Sequence, residues 1–172
     1  PRALDRLGLG MGAVLLARPH VRYLFGAVSI SGAFPEEAKR LLVVHYGRWH
    51  GDPAFLAHSL NPFTLSRAHD ESLSAILPGR DREDDYRRLK EHLKGLGCAI
   101  PTLFRQYTEL CEPGGVRFLD FGVDPDFGNC VDGLILLDLR RMAPSKRERY
   151  LSGHRRTSPS SPRSLSVGAL AP

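Results

Sequence analysis

The sequence predicts a mixed α/β chain of the α+β kind, and three observations carry that expectation. Residues 3–17 place Leu4, Leu7, Met11, Val14 and Leu15 at the spacing of one helical face. Residues 21–30 are a run rich in β-branched and aromatic side chains. Two more strand-like runs, 116–123 and 131–139, follow a series of amphipathic helices, so layers of helix on sheet are the natural arrangement. At 172 residues and 42% hydrophobic content, the chain is long enough for one core plus a tail and too short for two ordinary domains.

The first helix, 3–17, carries Gly8, Gly10, Gly12 and Ala13 between its apolar positions, which suits close packing against a sheet. Its glycine spacing resembles a dinucleotide loop only superficially, since no strand precedes it. Pro19 ends the helix, and 21–30 is expected as a buried strand. A turn at Ser31 and Gly32 leads to Pro35, Glu36 and Glu37, a proline and two acids where a helix begins; that helix runs to about Trp49. Residues 51–83, with Asp52-Pro53, Asn61-Pro62 and Pro78-Gly79, are expected as an irregular surface insertion. An amphipathic helix follows over 84–96, stopped by Gly97, and a shorter one opens at Pro101 and ends at Glu112-Pro113-Gly114-Gly115. The strands 116–123 and 131–139 are expected to pair antiparallel across 124–130, and 144–151 to add a helical turn or two.

Charge excludes a dedicated nucleic-acid surface on the folded part. The chain is +5 overall, yet residues 1–138 hold 16 Lys and Arg against 18 Asp and Glu, and the excess lies in 139–172. Residues 152–172, rich in Ser, Pro and Arg, are expected to be a disordered basic tail. Cys98, Cys111 and Cys130 are too widely spaced for a zinc site or a disulfide framework, and three thiols in a reducing compartment is the simpler reading. There is no His-Glu-x-x-His, nucleophile elbow or P-loop. No apolar run reaches the length of a membrane span and no secretory pattern opens the chain, so a cytoplasmic protein is expected.

Two long blocks are more specific. Arg22-Tyr23-Leu24-Phe25-Gly26-Ala27-Val28-Ser29-Ile30-Ser31 resembles the strand after the donor-side helix in GNAT-type N-acyltransferases of the haemolysin-like branch, which includes the ornithine-lipid-forming enzymes; Ala27 stands where that family has proline. Residues 100–111 and 115–127, ending Asp124-Pro125-Asp126-Phe127, resemble the C-terminal block of the same family. The resemblance covers about 2–151, so 1–151 is expected to be the C-terminal part of a GNAT-like domain, incomplete at its N-terminus. It implies transfer of a fatty acyl group from an acyl-CoA or acyl-carrier-protein thioester to a small primary amine such as ornithine, without a metal. It also implies a fused lysophospholipid-acyltransferase-like domain upstream and a peripheral contact with the inner membrane surface.

The family's phosphate-binding loop and the strand beside 21–31 would both lie upstream of Pro1. The expected roles are therefore those of a partial site. Asp124, Asp126 and Asp132 are candidates for binding the amine or setting its protonation, against the alternative that loop aspartates bond their own backbone. Tyr46 and His45 are candidates to protonate the leaving thiolate, against packing. Ser29 and Ser31 lie on the donor-side strand, Phe127 is an acyl-pocket candidate, and Glu109 is either an active-site carboxylate or a solvated helix-end residue. Two other classes stay open: an inactive remnant or accessory binding module, and a basic-tailed protein that binds membrane or nucleic acid through 152–172.

Overall fold

A computed structural model of the chain describes residues 2–152. The order is α1 (Arg2–Ala17), β1 (Tyr23–Ile30), α2 (Glu36–His50), α3 (Arg67–Ile76), α4 (Arg82–Gly95), α5 (Thr102–Thr108), β2 (Val116–Asp124) and β3 (Cys130–Asp138), closed by short α6 (Pro144–Arg147) and a π-helical turn, Glu148–Ser152. The expected tail lies outside the described residues, apart from its first residue, Ser152.

The three strands form one antiparallel sheet in the order β1-β3-β2, so the last strand in the chain inserts between the other two. Tyr23 pairs with Asp138 and Ile30 with Val131, while Val116 pairs with Leu137 and Asp124 with Cys130. A register shift between Phe118 and Asp120 lets both Phe118 and Phe121 turn toward the core, opposite Ile135 and Gly133. Gly133 is there for space: a Cβ would press on both rings at 2.8–2.9 Å.

Helices α2, α4 and α5 cover one face of this sheet. Val28, Ile30, Val131, Ile135, Phe118 and Phe121 meet Leu41, Leu42, Tyr46, Leu89, Leu93 and Phe104 in a single buried cluster. The helix starts follow the sequence signals. Pro35 precedes two acids at α2, and Asp81 caps α4 by accepting the Asp84 backbone N–H at 2.8 Å.

Three sequence expectations are corrected. The segment 51–83 is not irregular throughout, because α3 lies in its second half and buries Leu73, with Leu77 buried just beyond its end. The strand β1 is not buried on both faces: Val28 and Ile30 face the core, whereas Tyr23, Phe25, Ala27 and Ser29 alternate onto an open face, Phe25 with 77% of its surface exposed. The helix α1 packs chiefly against the π-helical turn, not the sheet. Its Gly12 lies so close to the Tyr150 backbone carbonyl that a Cβ there would collide with it, and Val14 and Leu16 stay exposed.

Candidate active site

The sequence candidates divide between the two faces of the sheet. On the open face, the alternation of β1, β3 and β2 brings Ala27, Asp132, Leu134, Asp120, Gly122 and Asp124 into one groove of about 240 Å³, walled by His58 and Ser59 of the loop after α2. Ser29 is the cross-strand partner of Asp132. The groove is held by backbone bonds. The Ser59 N–H donates to Asp120 Oδ2 at 2.6 Å, the Asn61 side-chain amide donates to the Val123 carbonyl at 2.8 Å, and the Phe63 N–H donates to the Phe121 carbonyl at 2.9 Å. This loop therefore lies along the outer margin of β2 as a short extra strand would.

The loop is tied at its base by Asp52. That carboxylate is fully buried, accepts the Ala54 and Leu56 N–H groups, and pairs with Arg117 of β2 at 2.7 Å. The two backbone donors, Leu56 first, and the guanidinium hold its pKa below the usual carboxylate range.

The three carboxylates of the groove differ in their occupation. Asp120 accepts the Ser59 and Phe121 N–H groups, one on each oxygen. Asp124 Oδ1 accepts both the Asp126 and Phe127 N–H groups at 3.0 Å, the local turn geometry expected of a loop aspartate. Asp132 accepts only the Cys130 thiol, at 3.4 Å, and is the carboxylate with most capacity left. Burial first, then Asp132, pushes the Cys130 thiol up, so it is a thiol and not a thiolate near neutral pH. Asp124, Cys130 and Asp132 present ligand atoms within 4.8 Å of one another, the set among the described residues that could hold a metal ion. Asp124 Oδ1 is occupied by two backbone N–H groups and Asp132 Oδ1 by the Cys130 thiol.

Asp126 and Phe127 sit at the exposed tip of the β2–β3 connection, outside the groove, and Phe127 is 70% exposed. Ser31 is exposed in the turn after β1 and accepts the Ala33 N–H. That turn is locked to the tip of the connection, because a Cβ on Gly32 would collide with the Gly128 carbonyl oxygen.

Tyr46 and His45 lie on the opposite face. Tyr46 is 1% exposed and packs against Phe104 at 5.0 Å and Phe118 at 5.3 Å between ring centroids. Phe118 faces the core, so the sheet itself separates Tyr46 from Asp132. Burial pushes the Tyr46 phenol well above its ordinary value and brings His45 down to about 4. Glu109, exposed at the end of α5, borders the same side of the molecule as His45 and Tyr46. Sequence reasoning missed Asp120 and His58. The strand period would have placed Asp120 on the same face as Asp124, but the register shift after Phe118 was invisible.

Comparison with known proteins then bears on this arrangement. Over 149 residues, 87% of the chain, it is 26% identical to a glycine N(alpha)-acyltransferase of Bacteroides thetaiotaomicron and 24% identical to a glycine N(alpha)-acyltransferase of Phocaeicola vulgatus. The chain is similar to N-acyltransferases. It spans less than half the length of these relatives, 43% and 45% respectively. No family model matches the chain, and no solved structure does. The mixed α/β architecture with its small antiparallel sheet is compatible with a GNAT-like acyltransferase fold. Among the described residues, no helix is long and apolar enough to cross a membrane.

Proposed function

We propose that this chain is the C-terminal part of an N-acyltransferase that moves an acyl group from a thioester, of CoA or of an acyl carrier protein, to the α-amine of a small amino acid. Glycine is the first acceptor to test, by the names of the two relatives, and ornithine the second, by the sequence resemblance. One observation carries the reading: the open face of the sheet gathers Asp120, Asp124 and Asp132 into one groove, with Ser29 the cross-strand partner of Asp132. The ammonium of an amino-acid acceptor can seat among these carboxylates, where charge-assisted hydrogen bonds hold it.

The chemistry needs two proton movements. The acceptor nitrogen must be neutral to attack the thioester carbonyl, and the departing sulfur leaves as a thiolate that takes up a proton. Asp132, with the most free capacity in the groove and Ser29 across from it, is the residue assigned to hold the ammonium and accept its proton. Asp124 and Asp120 act by holding the groove walls. Tyr46, on the other face, is assigned no part in protonating the thiolate. A fused acyltransferase-like domain and a contact with the membrane surface belong to the same proposal, and rest on the sequence resemblance alone.

The test is acyl transfer from acyl-CoA and acyl-carrier-protein donors to glycine and ornithine, by the full-length gene product and by the 172-residue chain. Formation of an N-acyl amino acid supports the reading. Absence of product from every donor and acceptor pair in the full-length protein sinks it.

A further inference from the structure

On the helical face, α2, α4 and α5 enclose a second cavity of about 360 Å³ that no step of the transfer uses. Its lining includes two side chains buried almost completely, His45 at 2% and Tyr46 at 1% exposure. Both are unsatisfied: among the described residues neither His45 Nδ1 nor the Tyr46 hydroxyl has a hydrogen-bond partner. A buried polar atom without a partner is costly, and two side by side at the wall of a cavity call for something that bonds to them.

The charges around the cavity say what kind of molecule that is. Arg82, Lys90 and Arg105 border it together with Glu83 and Glu109, and among the described residues Arg82, Arg105, Glu83 and Glu109 make no ion pair. Lys90 instead lies over the Tyr86 ring at 5.0 Å. The two histidines, His45 and His50, are held near 4 by burial and are uncharged at neutral pH, so they add donors and acceptors but no charge. A polyanion would face two carboxylates, and a bare cation three basic groups. A molecule carrying both signs a few ångströms apart meets neither penalty.

We propose that this cavity binds a small free amino acid, its carboxylate toward Arg105 and Arg82, its ammonium toward Glu109, and its polar groups completing the hydrogen bonds of His45 and Tyr46. The sheet separates this site from the groove at Asp132, so its occupation does not depend on the transfer reading and is measured without any thioester donor. Recognition by both an Arg and a carboxylate gives selectivity over molecules that present only one charge.

The experiment is a titration of the 172-residue chain, followed by amide NMR shifts and calorimetry, with glycine, ornithine, acetate and methylammonium. The expected result is saturable binding of glycine or ornithine at least tenfold tighter than either single-charge probe, with shifts centred on 45–50 and 105–109. Arg105→Gln and Tyr46→Phe, each checked for a native spectrum, should weaken it at least fivefold. No saturable binding of either amino acid, acetate binding as tightly as glycine, or binding unchanged in both variants would overturn the proposal. Should Tyr46→Phe lose its fold, Arg105→Gln, at an exposed position, decides alone.

Discussion

The indole N–H of Trp49 donates to Asp85 Oδ2 at 3.0 Å, and this bond joins the last turn of α2 to the first turn of α4. The same buried carboxylate accepts the Gly79 N–H on both oxygens and faces Arg48 at 3.4 Å. Arg48 in turn donates to the Leu77 carbonyl, so one aspartate organises two helices and the turn between α3 and α4.

Replacing Asp85 should therefore unfasten three segments at once. Asp85→Ala is expected to cost about 2–4 kcal/mol, since it strands the indole and Gly79 donors in a buried place. Urea unfolding checks it. A loss below about 0.5 kcal/mol would mean that water replaces the carboxylate at no cost.

Acid should loosen the fold before the carboxylates titrate. His45 and His50 have folded values near 4 against an ordinary 6.5, so between these the unfolded chain binds more protons than the folded one. Their stabilisation is complete above pH 6.5 and lost as pH falls toward 4. At about 1.4 kcal/mol per pH unit, His45 alone accounts for roughly 3 kcal/mol. Unfolding midpoints measured from pH 7 to 4 should fall, and His45→Leu should flatten the curve.

A methyl group at Gly32 is expected to displace the β2–β3 connection. Gly32→Ala forces its Cβ into the Gly128 carbonyl, costing on the order of 1–3 kcal/mol as an overpacked contact does. Calorimetric melting reads the loss, and Gly128→Ala, where nothing crowds a Cβ but φ is +63°, separates crowding from backbone strain.

In the transfer assay, Asp132→Asn should lower turnover at least a hundredfold if it takes the acceptor's proton, while Asp126→Asn, at the exposed loop tip, should stay within twofold of the parent. The reverse pattern would move the chemistry out of the groove.

The open margin of β1 should make the isolated chain self-associate. Tyr23 and Phe25 are exposed beside backbone groups that no other described strand pairs, the arrangement natural sheets guard with charge. Phe25→Lys is expected to lower light scattering at high concentration without changing the melting temperature by more than a few degrees.

Local pattern and long-range partnership were not equally legible in the sequence. The helix periods of 36–50 and 84–96 and the strand alternation of 131–139 were readable because each element states which of its faces is apolar. The helix α3 was not, because Pro62 and Pro78-Gly79 bracket it and only Leu73 and Ile76 mark its inner side. Strand order was also hidden: nothing local tells β3 to insert beside β1. Composition identified the acids of the β2–β3 region and the strand period puts Asp120 on the face of Asp124, but the register shift that turns Phe118 to the opposite face was not legible. The pairing of His45 with Tyr46 at a cavity wall depends on α4 and α5, which neither residue's neighbours in sequence reveal.

The central position of β3 has a consequence for synthesis. Tyr23 waits for Asp138, and until the ribosome has released that stretch neither outer strand has its β3 partner to bond. The nascent chain must keep the apolar face of 23–30 out of wrong partnerships while residues 31–138 are made, and the three described strands join only then. A premature stop before Cys130 would leave no partial version of this domain, only helices with an unroofed core.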